Sequence, residues 1–248
     1  MRDFLDICYS ENHDQYLDLH LPECDSFPVF LYFHGGGLES GDKSTFPELF
    51  QELTSRGIAV ASANYRMYPD ACYPDFLEDA AESVAWIYNN IGNYGRIEGI
   101  YVGGSSAGGY LSMMLCFDSR WLGKYGISPL QINGYIHDAG QPSCHFNVLR
   151  ERGIDTRRVM IDDSAPLFHV GADEKYSPML IIVSDQDMRN RLEQTTLLIS
   201  TLSHFGHEAP EVQLKVMCGK HCAYIRKKDE DGRGVFGQLI AQFIEGQT

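Results

Sequence analysis

Six short apolar or β-branched runs punctuate the chain, each closed by turn residues: VFLYF (29–33), IAVASANY (58–65), GIYVGG (99–104), INGYIH (132–137), MLIIVS (179–184) and VQLKVM (212–217). Continuous runs of this kind predict strands buried on both faces, as in a parallel sheet. Between them apolar positions recur every three or four residues, at Phe76, Ala80, Val84 and Ile87, at Ala107, Tyr110, Met114 and Phe117, and at Leu192, Thr195, Leu198, Ile199 and Leu202. That period predicts helices lying one face down on the sheet. The alternation of the two patterns predicts a doubly wound α/β sheet with helices on both faces. YLDLHL (16–21) alternates strictly and predicts an antiparallel edge strand, and VFGQLIAQFIE (235–245) predicts a last helix after the solvated charged run RKKDEDGRG (226–234).

The rhythm breaks between residues 141 and 163, where charge accumulates; this stretch is expected to form a small cap on an otherwise single domain spanning residues 1–248. No repeat, low-complexity tract or linker-like segment divides the chain. At 248 residues, α/β folds still use one core.

Composition narrows the function classes. With 44% hydrophobic and 22% charged residues and no apolar run near the ~20 residues a membrane helix needs, the chain reads as soluble. The opening MRDFLDICYSENHDQ has acids in place of an apolar leader core, which predicts a cytoplasmic protein. Seven scattered cysteines predict reduced thiols rather than a disulfide framework. A formal charge of −14 opposes nucleic acid and anionic membranes as partners and favours small, neutral substrates.

The strand GIYVGG runs directly into the helical AGGYLSMMLCF, and a turn that sharp forces its apex residue into strained backbone angles. Gly104-Ser105-Ser106-Ala107-Gly108 fits G-x-S-x-G and puts Ser106, not Ser105, at the apex. There its hydroxyl would stand at a helix N-terminus, where free N–H groups favour developing negative charge. These glycines do not have dinucleotide-binding or phosphate-loop spacing and follow a middle strand, which disfavours nucleotide binding.

Other segments supply what a nucleophilic serine needs. After VFLYF comes His34-Gly35-Gly36-Gly37, a bare backbone able to offer N–H groups to a carbonyl oxygen; Gly36, Gly37 and Ala107 are the candidate oxyanion donors. His34 belongs to that loop and is expected to brace it rather than act as a base. The last strand ends in CGKHCAY, making His221 the best candidate general base among nine histidines. Cys218 and Cys222 flank it but have neither zinc nor haem spacing, so no metal is expected. The preceding strand ends in VSDQDMRN, where Asp187 is the favoured orienting acid; Asp185, read as a turn former, and Asp138, after INGYIH, are its rivals.

The order Ser106, Asp187, His221 on such a sheet matches the α/β-hydrolase arrangement. Across YLDLHLP, LYFHGGG, ANYRMYPDACYP, FLEDAAESVAWIYNNIGNYG, YVGGSSAGGY, SPMLIIVSDQD and GKHCAY the sequence resembles α/β-hydrolase-fold esterases of the hormone-sensitive-lipase-like and bifunctional feruloyl/acetyl-xylan carbohydrate-esterase kind. It departs from their common pattern at Leu38, where Trp or Phe usually follows the glycines, and at Ser184, where glycine is usual. The resemblance implies a carboxylic ester hydrolase working through an acyl-enzyme without a cofactor. Tyr65 and Arg66 would then be scaffold residues, and Asp79 and Trp86 helix-packing positions. Another acyl hydrolase on the same fold (a peptidase, formamidase or thioesterase) and a non-catalytic binding protein are the alternatives. The scarcity of apolar residues in 141–163 leads us to expect short acyl groups, with Arg150, Arg152, Arg157 and Arg158 free to meet polar or sugar-like leaving groups.

Overall fold

The computed structural model describes residues 1–171 and 174–247. In chain order its strands are β1 (Arg2–Ser10), β2 (Gln15–Leu21), β3 (Ser26–Phe33), β4 (Ala59–Ala63), β5 (Arg96–Ser105), β6 (Gly134–Asp138), β7 (Met179–Gln186) and β8 (Val212–Lys220). The helices are α1 (Pro47–Ser55), α2 (Asp75–Asn90), α3 (Ala107–Phe117), α4 (Arg120–Gly123), α5 (Phe146–Glu151), α6 (Arg191–His204) and α7 (Val235–Glu245). All eight strands form one sheet in the order β1-β2-β4-β3-β5-β6-β7-β8. Pairing is antiparallel through β1, β2 and β4 and parallel from there to β8.

Strand periodicity sorts the core into two layers. Val29, Leu31 and Phe33 of β3 point into the same cluster as Ala59, Ala61, Ile100, Val102 and Ile181, and this cluster includes residues of α2, α3 and α6. Their neighbours Phe30, Tyr32, Val60, Tyr101 and Ile182 point the other way, onto α1 and α7. Because successive side chains alternate across the sheet, apolar residues at every position force helices onto both faces. Each fully buried Leu, Ile, Val or Phe contributes about 1.5–3 kcal/mol over an exposed one. Helix α3 is buried along its whole length, which locks the start of that helix in place.

Two expectations about edges need correcting. YLDLHL is indeed a strand, β2, but β1 pairs outside it and forms the edge. RDFLDICYS escapes notice because six of its first seven residues are exposed, so it has no buried face to pattern; backbone pairing holds it. VQLKVM also differs from expectation: β8 is the opposite edge, with Leu214 and Val216 exposed. An apolar run does not distinguish a buried strand from an edge strand.

Candidate active site

The turn from β5 into α3 holds Ser106 at φ 56° and ψ −110°, a conformation a side-chain-bearing residue rarely adopts. Such strain costs of order 1–3 kcal/mol and persists only when the surroundings enforce it. The Ser106 N–H donates to the Asp138 carbonyl at 2.8 Å. The backbones beneath are in contact: a Cβ on Gly108 would lie 2.0 Å from the Phe33 carbonyl oxygen, and one on Gly104 would lie 2.5 Å from the same atom. Only glycine fits at either place, so β3, β5 and α3 pack closely enough to raise Ser106 above the sheet.

Two loops at the carboxyl ends of β7 and β8 meet that hydroxyl. His221 Nε2 lies 2.9 Å from Ser106 Oγ, and His221 Nδ1 lies 2.6 Å from Asp187 Oδ1. A carboxylate only accepts, so Nδ1 carries the proton and the Nε2 lone pair faces the serine hydroxyl. The Asp187 side chain is fully buried and also accepts from the N–H groups of Met188 (2.7 Å) and Ser184 (3.2 Å). Burial alone would raise its carboxyl; the hydrogen bonds, His221 foremost, outweigh that and hold it below the usual carboxylate range.

Neither rival acid touches His221. Asp185 Oδ1 accepts from the Gly219 N–H at 2.8 Å, tying the loop ends of β7 and β8 together rather than capping its own turn. Asp138 is completely buried and accepts from the Tyr224 hydroxyl; burial pushes its carboxyl up to about 6 despite that partner.

The His34–Gly37 loop crosses directly over the serine. A Cβ on Gly35 would stand 3.2 Å from Ser106 Cβ, and the backbone turns through positive φ at Gly36 (119°), Gly37 (69°) and Leu38 (64°). Among the described residues the N–H groups of Gly36, Gly37 and Ala107 have no protein acceptor. His34 is buried under the loop, stacked 4.5 Å from the Tyr65 ring, and the Tyr65 hydroxyl donates to its carbonyl at 2.8 Å. Burial lowers its basicity, which suits a brace. Arg66 grips buried Asp79 through several bonds of 2.8–3.0 Å, so Asp79 is an ion-pair residue rather than a packing position.

Residues 141–163 touch the loop from above. Asn147 Nδ2 donates to the Gly37 carbonyl at 3.1 Å, the Phe146 ring lies against Gly37, and Arg150 pairs with Glu39. Sequence patterns missed Asn147 and Tyr224, since each acts through contacts more than 80 residues away that no local period encodes. Among the described residues one group has metal-like spacing, His13, Asp79 and Glu82, but both Asp79 oxygens already serve Arg66. No helix among the described residues is long and apolar enough to cross a membrane.

Residues 17–123 match the BD-FAE family. The chain is 36% identical over 109 residues to a probable isoprenylcysteine alpha-carbonyl methylesterase, ICMEL1, of Oryza sativa subsp. japonica, a match covering 43% of this chain and 26% of that protein. It is 32% identical over 129 residues to a kynurenine formamidase of Danio rerio, covering 50% and 42%. The matches therefore span 26% and 42% of the length of these curated relatives. Among solved structures, esterase B of Lactobacillus rhamnosis (HN001) superposes with a TM-score of 0.80 over 99% of this chain and 86% of the other, at 17% identity. At that identity the likeness speaks to the fold.

Proposed function

The chain has the α/β-hydrolase fold, and on that premise we propose that it is a serine carboxylic ester hydrolase acting through an acyl-enzyme. One observation carries the reading: the unbroken hydrogen-bond chain from Asp187 through His221 to a serine at a strained strand–helix apex. His221 Nε2 takes the Ser106 proton as Oγ bonds to the ester carbonyl carbon. The carbonyl oxygen becomes an oxyanion, received by the N–H groups of Gly36, Gly37 and Ala107 in a site that needs no reorganisation. His221 then gives its proton to the leaving alcohol as the C–O bond breaks. Water attacks the acyl-enzyme as His221 takes its proton, and His221 then returns that proton to Ser106 Oγ as the acyl C–Oγ bond breaks and the carboxylic acid departs. Asp187 stays ionised throughout, fixing the tautomer and stabilising the imidazolium.

Residues 141–163 are the small cap of this single domain. Their contacts with Gly37 and Glu39 support a short acyl pocket suited to acetyl through butyryl groups; the similarity to the BD-FAE family adds saccharides carrying acetyl or feruloyl groups as candidate substrates. A second reading, hydrolysis of an activated amide, has one observation behind it: the similarity to a protein named kynurenine formamidase. A panel of nitrophenyl acetate, butyrate and palmitate, a formyl anilide and a thioester tests both. The proposal expects acetate and butyrate to be the best substrates; a kcat/KM climbing steadily to palmitate contradicts the small pocket, and preference for the anilide favours the amidase.

A further inference from the structure

The formal charge of −14 points to neutral substrates, but charge is not spread evenly around the site. Three of the four cap arginines are neutralised: Arg150 by Glu39, Arg152 by Asp162 at 2.7 Å and Arg157 by Asp155 at 2.6 Å. Among the described residues Arg158, and Arg189 and Arg191 beyond β7, form no ion pair with any carboxylate. All three line one cleft of about 250 Å³, whose walls include Gln141, Phe146 and Met188.

Arg191 is the most unusual of the three. It is only 4% exposed, and its guanidinium is spent on neutral acceptors, the Ala139 carbonyl and Gln141 Oε1 (3.2 Å). Keeping a cation out of water without a bonded carboxylate is costly; the Asp187 charge offsets this only at a distance, and two of five N–H donors suffice for the bonds made. Gln141 is itself fixed, donating to the Cys144 carbonyl at 2.7 Å, so the fork is held rigid at the floor of the cleft.

The cleft is lined by neighbours of the reacting groups and not by Ser106, Asp187 or His221 themselves. Phe146 separates it from Gly37, the Met188 N–H is bonded to Asp187, and Arg191 holds the carbonyl next in sequence to the one that anchors Ser106. We propose that this cleft binds a carboxylate carried by the ester substrate, at a point remote from the scissile bond, with Arg191 as the fixed fork and Arg158 and Arg189 as the mobile cations at its mouth. The inference rests on the ester-hydrolase reading and names its substrate class. A planar guanidinium pairs with a carboxylate through two parallel N–H bonds, which gives orientation as well as attraction.

Two matched pairs of esters test it, with the carboxylate on either side of the scissile bond: monomethyl glutarate against methyl valerate, and 4-acetoxybenzoate against its methyl ester. The expected result is a kcat/KM at least tenfold higher for the charged member of one pair at low salt, with that ratio cut at least threefold in the doubly substituted Arg158→Gln, Arg189→Gln protein, which keeps the Arg191 fork. Both positions are exposed, so this variant tests the cleft without disturbing buried Arg191. A ratio below tenfold in both pairs overturns the proposal, and so does a preference that the double substitution reduces by less than threefold. Hydrolysis of none of the four esters overturns the ester-hydrolase reading, and the proposal falls with it; hydrolysis of neutral members alone leaves that reading standing and removes only the carboxylate.

Discussion

Two adjacent serines look out on two buried acids, and the pairs behave in opposite ways. On one side of the elbow Ser106 meets His221 and Asp187, a carboxylate satisfied by three hydrogen bonds and held below its ordinary range. On the other side Ser105, buried at the end of β5, lies in register with Asp138, whose carboxyl burial pushes up to about 6. Both acids stand at the carboxyl ends of neighbouring strands, and both are removed from water. What separates them is the donor set: an imidazole and two backbone N–H groups keep Asp187 ionised, while the Ser105 and Tyr224 hydroxyls and a cysteine thiol at 3.9 Å do not offset the burial of Asp138. The first arrangement suits a proton relay; the second braces the segment that carries His221 by gripping Tyr224.

The largest effect expected from breaking this contrast is at the serines. Ser106→Ala should lower turnover of a short-chain nitrophenyl ester by on the order of 10⁶, while Ser105→Ala should retain activity within about tenfold. Steady-state kinetics on both proteins decides it, and equal losses would remove the distinction.

Next come the acids. Asp187→Asn should cost roughly 10⁴ in turnover by mis-setting the His221 tautomer. Asp138→Asn keeps an acceptor for Tyr224 and should cost less than about tenfold by the same assay. A larger loss at Asp138 than at Asp187 would reverse the assignment.

The smallest effect sharpens the comparison through pH. Because Asp138 is raised from 3.8 to about 6 in the fold, the native state holds a proton there that the unfolded chain releases. Its contribution to stability is therefore present below about pH 4 and lost as pH rises through 6, by at most ~3 kcal/mol. Asp138→Asn has no such dependence, so its urea-unfolding free energy should gain on the wild type between pH 4 and pH 7. Asp187 has the opposite sign: its contribution is present above the ordinary carboxylate range and fades as pH falls through its depressed value. Parallel pH profiles for wild type and Asp138→Asn would contradict the raised carboxyl of that acid.

Much of this was legible from local patterns because local rules generate it. The elbow glycines are imposed by backbone contact, the His34–Gly37 loop turns through positive φ at two of its glycines, and α7 matches its predicted span residue for residue. The Ser106–His221–Asp187 chain follows from the order of strand ends, each side chain lying just past a predicted strand. Strand β1 was hidden because exposed residues have no core to pattern against, and the exposure of β8 because its position at the sheet edge is a property of topology. Asp79 reads as one more helix position until Arg66 arrives from another segment. The cap arginines look alike in sequence, and only three-dimensional pairing separates the neutralised Arg150, Arg152 and Arg157 from Arg158.

The central claim is that Ser106, and not its neighbour, is the activated nucleophile. Treating the protein with a fluorophosphonate and mapping the adduct by peptide mass spectrometry tests it most directly. The account predicts a single adduct on Ser106, retained in Ser105→Ala and absent from Ser106→Ala; an adduct on Ser105, or undiminished labelling of Ser106→Ala, would contradict it.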